Sequence, residues 1–286
     1  MAEIEKKELI IACDSTADFE VEDVKNLGLE IIPLTINFED ESFVDGEIDK
    51  NVFFEKLAAS KKLPHTSQPT PEAFEDLFNK VKENNQSLIL ILIGSGFSGT
   101  YQCATMVKES VGYDDIHIID SGLTIGSLQI LIREAVAKKD TMSTQELVDY
   151  LNEFKKRIRM YAIIDTLEYL KKGGRLSSLT ANIGKLLNLK LVCEIEGSIK
   201  VIGKTLGIRK AFQFIADKIK KEPIDFNHYY CYGYAHKKDN MEALIKSLNI
   251  QKEDWHKCVI ESVGAVTGTH TGPNACAIFY VAQEQK

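Results

Sequence analysis

The sequence has no cysteines spaced C-x-x-C. Its six cysteines, Cys13, Cys103, Cys193, Cys231, Cys258 and Cys276, are scattered, several of them inside apolar runs. That argues against a disulfide framework and against a thiolate metal site, and no metal is expected. No apolar run approaches the roughly eighteen residues of a membrane span. The start, MAEIEKKELIIAC, carries charges of both signs around a short apolar stretch and reads neither as a signal peptide nor as a spanning segment. The expected location is cytoplasmic. A basic excess is missing too: the formal charge of −7 argues against nucleic acid as the main partner, because phosphate-backbone binding wants a basic surface. Internal repeats and low-complexity tracts are absent.

What is present is the composition of a globular protein, 286 residues with 44% hydrophobic and 27% charged, enough for a substantial core in two domains of ordinary size. From residue 9 to 137 strand and helix signatures alternate, which implies a parallel sheet with helices on both faces. Strands are expected at 9–13, 29–38, 88–93 and 116–119, with an acidic loop at 39–49 and an irregular, proline-stiffened connection at 61–71. A helix at 71–84 should open on Pro71 with Thr70 as its cap, and one at 123–137 is apolar over so much of its circumference that it must be buried or line a cavity. After a solvated helix at 142–159 a second α/β unit begins. It has strands at 161–164, 229–234, 258–262 and 275–281, and a hairpin at 190–202 with Gly197 in its turn. Helices are expected at 166–172, 181–189, 207–221 and 240–248, and a glycine-rich loop at 264–274 holds His270. The expected division is an N-terminal α/β domain, 1–157, and a C-terminal α/β domain with a mixed sheet, 158–286.

The chain is organised around residues 88–102, LILILIGSGFSGTYQ, a doubly buried strand running through a glycine turn into a helix. Glycines let the backbone approach a ligand, and free N–H groups at a helix start favour an anion. Ser95, Ser98 and Thr100 add hydroxyl donors. No Lys or Arg lies between Leu88 and Lys108, which points to a singly charged group rather than a polyphosphate. In parallel sheets ligands collect at the carboxyl ends of the strands, so the tips at Asp14, Ser95 and Asp120 should share one edge.

Gly94, Gly96 and Gly99 also satisfy G-x-G-x-x-G, with Asp120 placed where an acidic residue holds a ribose, so a dinucleotide-binding domain is a second reading. A third is a serine hydrolase built on Ser95, His270 and Asp14 or Asp120, although the G-x-S-x-G elbow is lacking.

The combination of loops is more specific than any one of them. Asp14-Ser15-Thr16-Ala17-Asp18, Thr66-Ser67-Gln68-Pro69, the run from Ser95 to Gln102, Tyr169-Leu170-Lys171-Lys172-Gly173-Gly174-Arg175 and His270-Thr271-Gly272-Pro273 follow one another in this order. Together, over nearly the entire chain, they resemble the DegV family of bacterial fatty-acid-binding proteins. The resemblance implies a two-domain α/β fold that holds one long-chain fatty acid with its tail in a closed apolar tunnel. The carboxylate loops would lie in the first domain, and the second would contribute to the tunnel and supply the His270 loop. It further implies a carrier without catalytic residues or cofactor of its own, presenting the carboxyl group to a separate ATP-binding fatty acid kinase that makes an acyl phosphate. By the same resemblance Thr66 or Ser67, together with Ser95 and His270, would hold the carboxylate, and Arg175 and Arg209 would sit at the pocket rim or a partner contact. The expected partners are the fatty acid, the kinase subunit and, transiently, a membrane surface. Three positions depart from the family pattern: Gly94 replaces the first serine of a serine pair, Asn274 a glycine, and Leu191 a proline.

Overall fold

In the computed structural model, which describes residues 7–176, 189–195 and 197–284, β1 (Leu9–Asp14) ends on an aspartate that bends the chain. The Asp14 carboxylate accepts the Thr16 N–H at 3.0 Å and its hydroxyl at 2.6 Å, forming a short 3-10 turn that leads to α1 (Val21–Leu27). The strand expected at 29–38 is broken. β2 (Leu29–Ile32) stays in the first sheet, while after Pro33 the chain leaves it as β3 (Thr35–Asn37). Proline has no N–H to continue a ladder, so the run divides there.

β3 pairs antiparallel with β4 (Ser42–Val44), inside the stretch expected to be an acidic loop. Past α2 (Lys50–Ala59) it pairs also with β5 (His65–Ser67), inside the connection expected to be irregular. Strands of three residues are too short to carry a readable alternation. α3 (Pro71–Glu83) starts as expected, with Pro71 in its first turn and the Thr70 hydroxyl accepting the Ala73 N–H. β6 (Ser87–Leu92), α4 (Thr100–Val111), β7 (Ile116–Asp120), α5 (Ile125–Lys138) and α6 (Thr144–Phe154) follow. The first sheet has the order β2-β1-β6-β7, every pairing parallel, with the wholly buried β6 inside it.

The second sheet is built from β8 (Ile158–Ile164), β9 (Leu189–Ile195), β10 (Ile199–Leu206), β11 (Tyr230–Tyr234), β12 (Cys258–Ser262) and β13 (Cys276–Val281). α7 (Glu168–Lys172), α8 (Ile208–Lys221), α9 (Asp239–Leu248) and α10 (Ala265–Thr271) are interspersed. Its order is β10-β9-β8-β13-β11-β12, mixed, with β11 and β12 parallel and the other neighbours antiparallel. The helix expected at 181–189 lies outside the described residues except for Leu189, which opens β9. The stretch at 264–274 is not a loop over its whole length, since α10 occupies it. Gly264 and Val266 at its start donate N–H groups to Asp18 and Asp45. Gly268 lets it approach closely, for a Cβ there would stand 2.8 Å from the rings of Phe53 and Phe54 on α2. A seven-residue helix containing such a glycine has little periodicity to announce it.

α5 joins the two sheets. Residues Ile125 to Ala135 are all buried, and the helix touches β1 on one side and β8, β11 and β13 on the other. One face of the mixed sheet, bearing Met160, Ala162, Ile164 and Cys193, belongs to the same core cluster as β6 and α5. Tyr161, Ile163, Tyr230 and Tyr232 on the opposite face pack with α8 and α9 residues such as Phe212 and Met241.

Candidate ligand site

A narrow cavity opens between the two sheets, with about 950 Å³ of atom-free space when its mouth is included. Its walls are mostly apolar, from Ile93 and Phe97 at the tip of β6 to Met160, Ala162 and Ile164 on β8. The polar residues on the wall are Thr66, Gln68, Ser98, Arg175 and His270, with Thr124, Thr267 and Thr271.

The local sequence explains how several of them arrive. β5 alternates, so Thr66 points into the cavity while Ser67 points away, where its hydroxyl accepts from Asn37 Nδ2 at 3.1 Å. His270 sits in the last turn of α10, with Nε2 3.0 Å from Thr66 Oγ1. Its Nδ1 is buried without a partner and faces Gly173, where a Cβ would come within 2.2 Å of it. Gly173 therefore makes room for the imidazole. Burial, reinforced by the nearby Arg175 charge, holds the His270 pKa down at about 4, so the ring is neutral near pH 7. Arg175 is anchored by two backbone carbonyls, Nε to Phe97 O at 2.9 Å and Nη1 to Gly173 O at 2.6 Å. That pins the glycine turn after β6 to the end of α7. Gly99 admits Gln68, whose Oε1 would stand 2.2 Å from a Cβ at that position.

The structure thus brings Thr66, His270 and Arg175 to one cavity. Ser95, in the same turn as Phe97 and Ser98, is not among the lining residues and is bonded to Asp120: its N–H donates to Asp120 Oδ1 at 2.9 Å and its hydroxyl to Oδ2 at 2.5 Å. Asp120 also accepts the Gly122 N–H at 3.2 Å, so this carboxylate ties together the tips of β6 and β7. The serine of this turn that lines the cavity is Ser98, which shares a hydrogen bond with Thr100 Oγ1 at 2.7 Å. Ser98 is one of the three hydroxyls the glycine turn offers from sequence, whereas Gln68 has no such signal in residue type alone. The signal for Gln68 was the period-two alternation Thr66, Gln68, once β5 is known to be a strand. Arg209 is exposed near the start of α8 and is not among the residues lining the cavity.

The two competing readings find no assembled site. Around G-x-G-x-x-G, a Cβ at Gly94 would stand 2.7 Å from the Gly122 backbone, one at Gly96 2.0 Å from Gly197 O, and one at Gly99 meets Gln68. The space those glycines free is filled by the protein rather than left to a pyrophosphate, and Asp120 is committed to Ser95. For a hydrolase, Ser95 is bonded to a carboxylate and His270 to Thr66. Asp14 accepts from Thr16 and, at 2.6 Å, from the Ile93 N–H.

A parallel sheet and a mixed sheet enclosing a largely apolar cavity define a two-unit α/β protein built around an internal space. The chain belongs to the DegV family: the family model described as "Uncharacterised protein, DegV family" matches residues 8–283. A DegV domain-containing protein from Caldanaerobacter subterraneus subsp. tengcongensis is 33% identical over 278 residues, covering 96% of this chain and 99% of that protein. Among solved structures, a fatty-acid-binding DegV protein from Bacillus subtilis superposes with a TM-score of 0.82 at 26% identity, covering 97% of this chain and all of that one (100%). A DegV family protein from Thermus thermophilus, described for its fatty acid binding, gives a TM-score of 0.88 at 23% identity, with 96% and 100% covered. The α/β class and two-unit DegV fold expected from the sequence are those of these neighbours. No helix among the described residues is long and apolar enough to cross a membrane.

Proposed function

We propose that this protein binds one long-chain fatty acid in the cavity between its sheets and presents the carboxylate to a separate ATP-dependent kinase, which forms the acyl phosphate. The observation that carries the reading is the cavity itself, apolar along its length with hydroxyl, amide, imidazole and guanidinium groups among its lining residues. The fatty-acid-binding relative from Bacillus subtilis supports the ligand class.

Energetically the two ends have different tasks. About fifteen methylenes at roughly 0.8 kcal/mol each give on the order of 12 kcal/mol gross, before ordering costs. One hydrogen bond to a charged acceptor adds about 1.5–3 kcal/mol. The tail retains and the head group orients. At the head, a neutral His270 with its proton on Nε2 donates to Thr66 Oγ1, which leaves the Thr66 hydroxyl hydrogen for the carboxylate. That tautomer also makes the partnerless Nδ1 an acceptor rather than an orphaned donor. Ser98 adds a second hydroxyl, and Arg175 a positive charge held in place by backbone carbonyls.

In this reading the chain works in the cytoplasm as a substrate-presenting subunit with no catalytic group and no cofactor, Arg209 serves as a contact for the kinase, and a membrane surface is met transiently. Denaturing extraction and mass spectrometry of protein purified from a bacterial host should find about one acyl chain per protein, and an empty cavity would count against binding. Incubation of the loaded protein with a fatty acid kinase subunit and ATP should then yield acyl phosphate. Binding without that product would remove the kinase half alone.

A further inference from the structure

The register of the mixed sheet lines up small residues where the cavity crosses it. Cys193 on β9 pairs with Ala162 on β8, Ala162 with Ala277 on β13, and Ala277 with Gly233 on β11. All four line the cavity. The Phe279 ring fills the space beside Gly233, where a Cβ would stand 2.9 Å from its Cε2. The shallow trough therefore runs over Cys193, Ala162 and Ala277, two strand spacings or roughly 10 Å, perpendicular to the strands. The cavity-facing rows on either side are bulkier. On one, Met160 pairs with Phe279, and Ile195 stands beside Met160 by continuation of the β8–β9 register. On the other, Ile164 lines the cavity, with Leu191 paired to it on β9 and the small Ala275 beside it by continuation of the β8–β13 register.

We infer that the acyl tail crosses the strands of the mixed sheet in this trough, and that Ala162 at its middle and Ala277 beside the Phe279 ring are the residues that decide which tails fit. The inference rests on the fatty-acid reading above and adds the path and its gauge. In an antiparallel sheet a residue's cross-strand neighbour has its Cβ only about 5 Å away, so small side chains at registered positions leave one continuous channel. A branched side chain at either alanine closes it. Met160 and Ile195 also line a polar cleft beside Lys155 and Arg159, so this pair is the partition between the greasy channel and a wet surface. Truncating Met160 would open this side wall and give a longer tail room toward that cleft.

The test is a titration of delipidated protein with saturated acids from decanoate to stearate, for wild type, Ala162→Leu, Ala277→Leu and Met160→Ala, with thermal melting of each. Each methylene that enters the channel should tighten binding about fourfold. In wild type that gain should continue through the long acids. In Ala162→Leu and Ala277→Leu it should stop about three or more carbons earlier, weakening palmitate binding by roughly sixtyfold or more while the shortest acids bind as before. Met160→Ala should extend the gain to longer acids, and it tests the same path by adding space if the leucine variants melt early. Folded variants that follow the wild-type length dependence would overturn the inference. Wild type that binds none of the series would instead overturn the fatty-acid reading.

Discussion

Thr66 on β5 and His270 on α10 meet through a 3.0 Å Oγ1–Nε2 hydrogen bond, although the chain separates them by 204 positions. The contact joins the short antiparallel sheet of the first unit to the helix that leads into β13, and in doing so builds part of the cavity's polar wall. Thr66→Val keeps the shape and removes the hydroxyl, leaving the imidazole without its partner. The expected result is a roughly ten- to hundredfold weaker Kd for palmitate, the worth of one hydrogen bond to a charged acceptor, with Thr66→Ser retaining most of the affinity. Titration calorimetry reads both, and an unchanged Kd in Thr66→Val would place the carboxylate elsewhere.

The two serines of the glycine turn should separate cleanly. Ser95 gives both its N–H and its hydroxyl to Asp120, so Ser95→Ala leaves that carboxylate short of one donor and should lower stability by about 1–2 kcal/mol. Its Kd for fatty acid should stay within about twofold of wild type, the spread of a site whose contacts are untouched. Ser98→Ala, on the cavity wall, should do the opposite. Urea midpoints and palmitate titrations of the two variants side by side decide it. A Ser95→Ala protein that folds normally and binds poorly would return Ser95 to the head group.

Much of the fold was legible because its longer elements satisfy local rules. β6 is an uninterrupted apolar run, α3 has Pro71 and Thr70 in their usual places, and the Gly197 hairpin has its glycine at positive φ (+65°). The misses share a cause. β3, β4 and β5 are three residues each and α10 is seven, so what forms them is tertiary pairing rather than periodicity. The site suffered most from this. Whether a hydroxyl faces the cavity depends on the phase of a three-residue strand for Thr66 against Ser67, and on a turn held by a distant carboxylate for Ser95 against Ser98. Neither appears in residue type or spacing.

His270 should remain uncharged far below its ordinary pKa. With the folded value near 4 and the unfolded one at 6.5, the imidazole is neutral in both states above pH 6.5. Between 6.5 and 4 only the unfolded chain takes up the proton, so the stability present above 6.5 drains away as pH falls through that window, at up to about 1.4 kcal/mol per pH unit. The difference in urea midpoint between wild type and His270→Gln, followed from pH 7.5 to 4, should shrink accordingly. In the NMR spectrum the His270 ring protons should hold their shifts down to about pH 5, and a midpoint near 6.5 would mean that the ring is open to water.

The acidic cap of α10 should pull the other way. Asp18 and Asp45 accept N–H groups from Gly264 and Val266, but each has a second oxygen buried without a partner. Burial raises both carboxyls, Asp45 to about 6, and the pair repel one another when both are ionised. Because the folded pKa of Asp45 lies above its unfolded 3.8, its contribution is fully present below about pH 4 and is lost as pH rises through 6. Asp45→Asn removes the charge while keeping an oxygen for the Val266 N–H. It should therefore be more stable than wild type at pH 8 and lose that advantage on acidification to pH 4. α10 carries His270 at its far end, so the same substitution tests whether the cap is tuned for stability or for the site. Palmitate affinity unchanged across the pH range, alongside a stability gain at pH 8, would show that the buried acids act on the fold alone. A Kd that shifts with Asp45 would mean that the helix transmits the charge at its start to the imidazole in its last turn.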